Sequence, residues 1–336
     1  MSVPRRLVNA RYRIADKVLV AGLVAIILAL AVVSEAQQGW VSTKVGVTGS
    51  DLNTVYFLDS KRGWVAGDAG FLSRTDDGGL TWAKQSVATR DAINDIYFRS
   101  KEEGFLLAGN TIFVTHDSGN MWIEARRFSP SEFQGAAAEL YSVRFSSKKK
   151  GWVVGSISKN DFVVDSILVY TDDGGDTWTR QRAPSRSELI HLDFVDDKHG
   201  WIVGADGTII YTFDEGRSWN KQESGTKAML YHVDFRNDKD GWAVGEKGTV
   251  LRTADSGRSW FPVDSKVRST LLSVQFVNDD EGWIVGRGGM IMRSEDGGRT
   301  WLHQESGTKQ NLYALNFQKK FGWAVGGDGI LLKYER

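Results

Sequence analysis

The sequence predicts an all-β fold: a seven-bladed β-propeller of four-stranded antiparallel blades, closed by its own N-terminal strand and preceded by one transmembrane helix. Three observations carry this. All 13 tryptophans fall into two recurring frames, those frames repeat at 41 residues over much of the chain, and the first 36 residues hold a long uncharged apolar run. A period of about 40 to 50 residues with several short strands per unit is the mark of propeller blades.

The first frame is Gly-Trp followed by small apolar residues and Gly: Gly63-Trp64, Gly151-Trp152, Gly200-Trp201, Gly241-Trp242, Gly282-Trp283 and Gly322-Trp323, with Gly104-Phe105 as the seventh member. The second holds Trp40, Trp82, Trp122, Trp178, Trp219, Trp260 and Trp301. Trp201, Trp242 and Trp283 follow one another at 41 residues, as do Trp178, Trp219, Trp260 and Trp301. Within one unit, Leu230–Phe235, Gly241–Gly245, Thr249–Arg252 and Ser259–Val263 are short runs rich in branched and aromatic residues, bounded by Gly, Asp, Asn and Ser. They read as strands A to D.

The last unit has strand A at Leu312–Phe317, B at Trp323–Gly326 and C at Ile330–Tyr334, and then the chain stops. The missing D strand is expected from Gly39–Lys44, so residues 39–336 shut into a ring with no free blade edge.

Between C and D lies a recurrent turn, Thr75-x-Asp77-x-Gly79-x-Thr81-Trp82 in the first unit and Ser294-x-Asp296-x-Gly298-x-Thr300-Trp301 in the sixth, with members at Thr115, Thr171, Thr212 and Thr253. An Asp side chain accepts backbone N–H bonds within such a turn and Gly supplies positive φ. A net hydrogen bond contributes about 0.5–1.5 kcal/mol, and burying a large side chain about 1.5–3 kcal/mol. The Trp is thus expected to stabilise the turn more than any one of its hydrogen bonds.

Composition limits the function. The 336 residues carry 42 basic and 42 acidic side chains, and the basic excess sits in the first 17 residues, at Arg5, Arg6, Arg11, Arg13 and Lys17 against Asp16. The remainder is slightly acidic, which argues against nucleic-acid binding by bulk charge. Zero Cys excludes a disulfide framework, a Cys nucleophile, a Cys-based metal site and a lipid-modified Cys.

Val18–Val33 is sixteen residues without a charge. A cleaved secretory signal ending at Ser34-x-Ala36 is one reading. A spanning helix of roughly 20 residues is the other, reached by borrowing from the flanks. The expectation is an uncleaved anchor over residues 18–36, with residues 1–17 cytoplasmic and the propeller periplasmic or lumenal by the positive-inside bias. The chain would then be a single-pass protein of a bacterial inner or photosynthetic membrane.

The joint pattern, Leu-x-x-Val-x-Phe, then Gly-Trp-x-Val-Gly, then the Asp-box and Trp, repeated over residues 39–336, closely resembles the photosystem II stability and assembly factor family of seven-bladed propellers. The resemblance implies a non-enzymatic protein that binds membrane-embedded photosynthetic polypeptides, as a transient assembly factor or a stably bound subunit. It implies no cofactor and no small-molecule substrate. Many cyanobacterial members are anchored through a lipid-modified Cys, which this sequence lacks; the apolar segment would take that task.

The expected docking site is a ring of cations in the D-to-A loops, three residues before strand A: Arg90, Arg186, Lys227, Arg268 and Lys309. Strand A lies nearest the axis, so these positions should surround the tunnel mouth; solubility is the competing explanation. Two insertions break the symmetry at blade three. Trp122 to Phe145 spans 23 residues instead of 16, enlarging loop 126–139, and Trp152 to Trp178 spans 26 instead of 18, enlarging loop 156–166. Long loops on a rigid scaffold carry binding. Phe128, Phe133 and Phe162 are expected there as contact anchors, against burial under their own loops.

His191 and His232 share a strand-A position in adjacent blades and are expected to form a hydrogen-bonded structural pair rather than a metal site. A secreted glycan-binding or glycosidase-like Asp-box propeller is the rival reading. The nearest string to the sialidase Arg-Ile-Pro motif is Arg13-Ile14-Ala15, beside the apolar segment, and no nucleophile, acid and base can be assembled from the sequence.

Overall fold

The computed structural model describes residues 39–318 and 321–335. The basic stretch and the apolar segment 18–36 lie outside the described residues. Among the described residues no helix is long and apolar enough to cross a membrane.

Seven four-stranded antiparallel sheets follow one another as blades. Six are built from consecutive strands. The seventh joins Gly39–Lys44 to Ile330–Glu335, in register from Gly39 opposite Glu335 to Lys44 opposite Ile330. The ring is therefore closed as the repeat requires. Strand A of each blade packs on strand A of the next and lines the axis.

The two tryptophan frames explain how the blades hold together. Each Gly-Trp ring stacks on the strand-A Phe of the next blade: Trp201 on Phe235 at 3.5 Å between centroids, Trp242 on Phe276 at 3.5 Å, and Trp323 on Phe57 at 3.5 Å across the closure. The Asp-box Trp meets that same Phe edge-on, as Trp260 does Phe235 at 5.7 Å and 89°. One Phe thus joins two blades, in arrangements that aromatic quadrupoles favour.

The Asp-box turns close as expected. Asp77 Oδ1 accepts the Leu80 and Thr81 amides at 3.0 and 2.9 Å, and its Oδ2 accepts the Thr81 hydroxyl at 2.6 Å. These donors, the Thr81 hydroxyl foremost, lower the Asp77 pKa to about 2.

Blade three departs from expectation. Residues 156–166 are not a loop but the outer half of a hairpin, with strand B running Gly151–Lys159 and strand C Phe162–Thr171. Its tip, Asn160-Asp161, has φ of 51° and 66°, a tight turn with both central residues left-handed, which matches the twist of the flanking strands. The other insertion forms a short 3-10 turn, Pro130–Phe133, capped reciprocally by Ser129 and Glu132, before strand A at Ala137–Phe145.

Candidate docking face and axial channel

The B-to-C turns and D-to-A loops open on one face and the Asp-boxes on the other. On the first face each D-to-A loop is tied to the neighbouring B-to-C turn. Ser265 donates to Gly248 O at 2.7 Å, and Gly248, at φ +71°, approaches so closely that a Cβ would sit 2.0 Å from Val267 O. Ser224 and Ser306 are buried at the corresponding places, where they donate to Thr226 O and Thr308 O of their own loops, each at 3.2 Å. These serines brace the loops of Lys227, Arg268 and Lys309, and sequence reading passed over them because a Ser in a loop resembles ordinary surface polarity.

Arg90, Arg186, Lys227, Arg268 and Lys309 all lie in these loops and all are exposed. Arg186 has one partner, Asp165 of the blade-three hairpin, at 3.8 Å. Among the described residues the other four make no ion pair within 4.0 Å, so their charge faces solvent.

Of the three expected apolar anchors only Phe162 is at the surface, 75% exposed on the hairpin beside Val163 and Val164. Phe128 and Phe133 are buried, at 3% and 9%, and do not belong to the contact surface. The capped turn folds the loop back so that both rings join a core with Ala136, Ala138 and Ile157, while Arg126 and Arg180 lie over their outer faces.

Inside this face lies a channel of about 530 Å³ along the axis. Its lining follows from a bulge near the start of every strand A. The register slips between Leu52 and Thr54, and at the matching place in the six other blades, so that one residue per blade turns toward the mouth. Those residues include Tyr141, Tyr231 and Tyr313. In six blades the second glycine of Gly-Trp-x-Val-Gly lies against this bulge: a Cβ on Gly204 would sit 1.9 Å from Glu188 O, and the equivalent glycine in five other blades meets the corresponding carbonyl at 1.8–2.3 Å, while blade two has Ala108 there and keeps the bulge.

The fifth residue of strand A bridges each blade to its neighbour. Asn316 Oδ1 accepts from Phe57 N at 3.3 Å, Gln275 Oε1 from Phe317 N at 2.8 Å, Asp193 Oδ2 from Phe235 N at 2.7 Å and Asp234 Oδ2 from Phe276 N at 2.8 Å. Tyr56 and Tyr97 donate instead to Phe98 O and Phe145 O, at 3.1 and 3.2 Å. Burial pushes the Tyr56 phenol up to about 12.

One wall of the channel is ionisable. Arg144 pairs with Asp95 at 2.6 Å and its other nitrogen lies 3.0 Å from His191 Nε2. His191 and His232 stack at 3.6 Å between ring centroids and are not hydrogen-bonded to each other, which corrects the expectation. Burial holds both below the usual imidazole range, His232 at about 3, so both are neutral at neutral pH. Burial raises the Asp193 carboxyl, and burial together with the Asp193 charge raises that of Asp234.

Comparison with known proteins joins this geometry to a family. The model described as "Photosynthesis system II assembly factor YCF48" matches in four overlapping stretches, residues 84–186, 181–269, 222–305 and 264–335. The chain belongs to this family. The curated "Photosystem II stability/assembly factor HCF136, chloroplastic" of Arabidopsis thaliana is 30% identical over 124 residues, 34% of this chain and 27% of that protein; its Oryza sativa counterpart is 29% identical over 115 residues, 32% and 24%. The match thus spans about a quarter of the length of those relatives.

Among solved structures, "YCF48 bound to D1 peptide" has a TM-score of 0.72 and 19% identity, covering 90% of this chain and 97% of its own. The GH74 enzyme of Niastella koreensis has a TM-score of 0.63 at 13% identity, covering 87% of this chain and 53% of its own. Similarity this low in sequence establishes the propeller alone.

Proposed function

We propose that this family member is a non-catalytic photosystem II assembly or stability factor that docks, by the face carrying Arg90, Arg186, Lys227, Arg268 and Lys309, onto a photosystem polypeptide at the lumenal or periplasmic side of the membrane. The observation that carries it is the five exposed cations held by loops tied to the B-to-C turns of a closed ring. A fold-related family member has been captured with a D1 peptide, which supports a polypeptide ligand. The apolar segment 18–36 would hold the protein at the membrane. Exposed cations on one face favour encounter with an acidic surface and make it salt-sensitive.

The test is co-purification from native photosynthetic membranes with the wild-type chain and with a variant carrying Arg90, Lys227, Arg268 and Lys309 all changed to Glu. We expect the wild type to retain a pigment-containing complex at low salt, and the variant, with unchanged thermal stability, to lose it at least tenfold. Equal retention by both would remove the face from the function. Absence of pigment from both would remove the photosynthetic assignment.

A further inference from the structure

We propose that the axial channel receives an organic cation, the ammonium or guanidinium head of a Lys or Arg side chain presented by the docked partner, with Asp193 and Asp234 as its counter-charges. This rests on the docking face proposed above and adds to it the chemistry of the partner's central residue.

The charge balance of the channel is the first reason. Its lining holds Asp95, Asp193 and Asp234 against Arg144 and Arg287. Arg144 is committed to Asp95. Asp193 and Asp234 sit at the same level on adjacent blades, each gives one oxygen to a backbone amide, and among the described residues neither has a cation within 4.0 Å. Further acids stand at the mouth: Asp51 accepts from Tyr313 at 2.7 Å, and the Glu188 carboxylate adds to burial in raising the Tyr141 phenol. A ring of cations outside and a negative axis within is a pattern that an acidic segment bearing one central base would match.

A neutral imidazole on the same wall is the second reason. The His232 ring lines the channel, and its Nδ1, buried behind that surface, has no hydrogen-bond partner. A neutral imidazole nitrogen that carries no hydrogen accepts from N–H donors. Tyr141, Tyr231 and Tyr313, turned inward by the bulges, offer aromatic faces suited to a cation.

The arrangement suits an organic cation rather than a metal ion. Among the described residues no three His, Asp or Glu side chains converge as a metal site. The carboxylates are spread around a wall and match several N–H donors on one head group. The channel's volume of about 530 Å³ lies within the roughly 300–1,000 Å³ of ligand pockets.

The probe is agmatine, a butylamine carrying a guanidinium, titrated calorimetrically into the propeller. Wild type should bind it saturably, and Asp193→Asn with Asp234→Asn should weaken binding at least tenfold. The Asn oxygens can still accept from Phe235 and Phe276, as Asn316 does from Phe57; a melting temperature no lower than that of the wild type checks this. Reversing the four loop cations should leave agmatine binding intact or tighter, which separates this proposal from the docking face. No saturable binding, or binding indifferent to the two Asn substitutions, overturns it. Agmatine should also displace the native complex. If it binds the channel without displacing the complex, the occupant is a free amine and the partner's side chain is ruled out.

Discussion

Blades three and five share one plan and use it differently. Blade five has strands of six, five, four and two residues, and the short turn Glu246–Gly248 joins B to C. Blade three has strands of nine, nine, ten and two residues, and in place of that turn a hairpin stands out from the proposed docking face with Phe162, Val163 and Val164 exposed. Toward the Asp-box side the two are alike, with buried Trp152 and Trp242 in the same role. Stability resides in the repeated layer and elaboration is added beyond it. The face that bears the B-to-C turns can therefore diverge without weakening the ring.

The largest expected effect lies in the shared layer. Trp242→Ala removes a fully buried ring stacked on Phe276 and should cost about 3–5 kcal/mol in chemical denaturation. A cost under about 1 kcal/mol would mean that the inter-blade stack is not what binds neighbouring sheets.

Next comes the Asp-box of blade five. Thr253→Val keeps the shape but removes the oxygen that accepts from Gly257 N at 2.9 Å, leaving that buried amide unpaired at about 1–3 kcal/mol. Equality with wild type would assign the turn's role to its Trp alone.

The channel gives pH effects of opposite sign. His191 and His232 have lowered pKa values when folded, so their stabilisation is complete above the unfolded value near 6.5 and is lost as pH falls through the folded values, about 3 for His232. Asp193 and Asp234 have raised pKa values, so their contribution is complete below the unfolded carboxylate range and is lost as pH rises through the folded values. Asp234→Asn should therefore raise the melting temperature at pH 8 more than at pH 4. The reverse order would show that the carboxylate is already compensated.

Smallest is the hairpin tip. Phe162→Ser, at an exposed position, should leave stability within about 0.5 kcal/mol. A larger loss would mean that the hairpin supports blade three and is not merely carried by it.

The repeat was legible because it is made of large side chains and glycines at fixed spacing. Blade number, closure by Gly39–Lys44 and the Asp-boxes follow from it, and all are present in the fold. The insertions were legible as length but not as structure: Ser156 to Ser166 reads as an enlarged loop, yet Asn160-Asp161 allows a tight turn and the strands simply continue. Phe128 and Phe133 were misplaced because loop membership says nothing of burial, although Ser129-Pro130-x-Glu132 marks a capped turn that folds the loop back. The channel was missed because its residues differ from blade to blade. Asn316, Gln275, Asp193 and Asp234 share a position and a task, bridging blades through a side-chain acceptor, without sharing an amino acid.

Pairing of Gly39–Lys44 with Ile330–Glu335 sets both ends of the folded ring side by side on its outer rim. The circle has no structurally privileged starting point. A circular permutant that joins these ends by a short linker and opens at the exposed hairpin tip, between Asn160 and Asp161, should shut into the same ring. It would make blade seven continuous and move the closure to blade three, where Gly151–Lys159 at the new end would pair with Phe162–Thr171 at the new start.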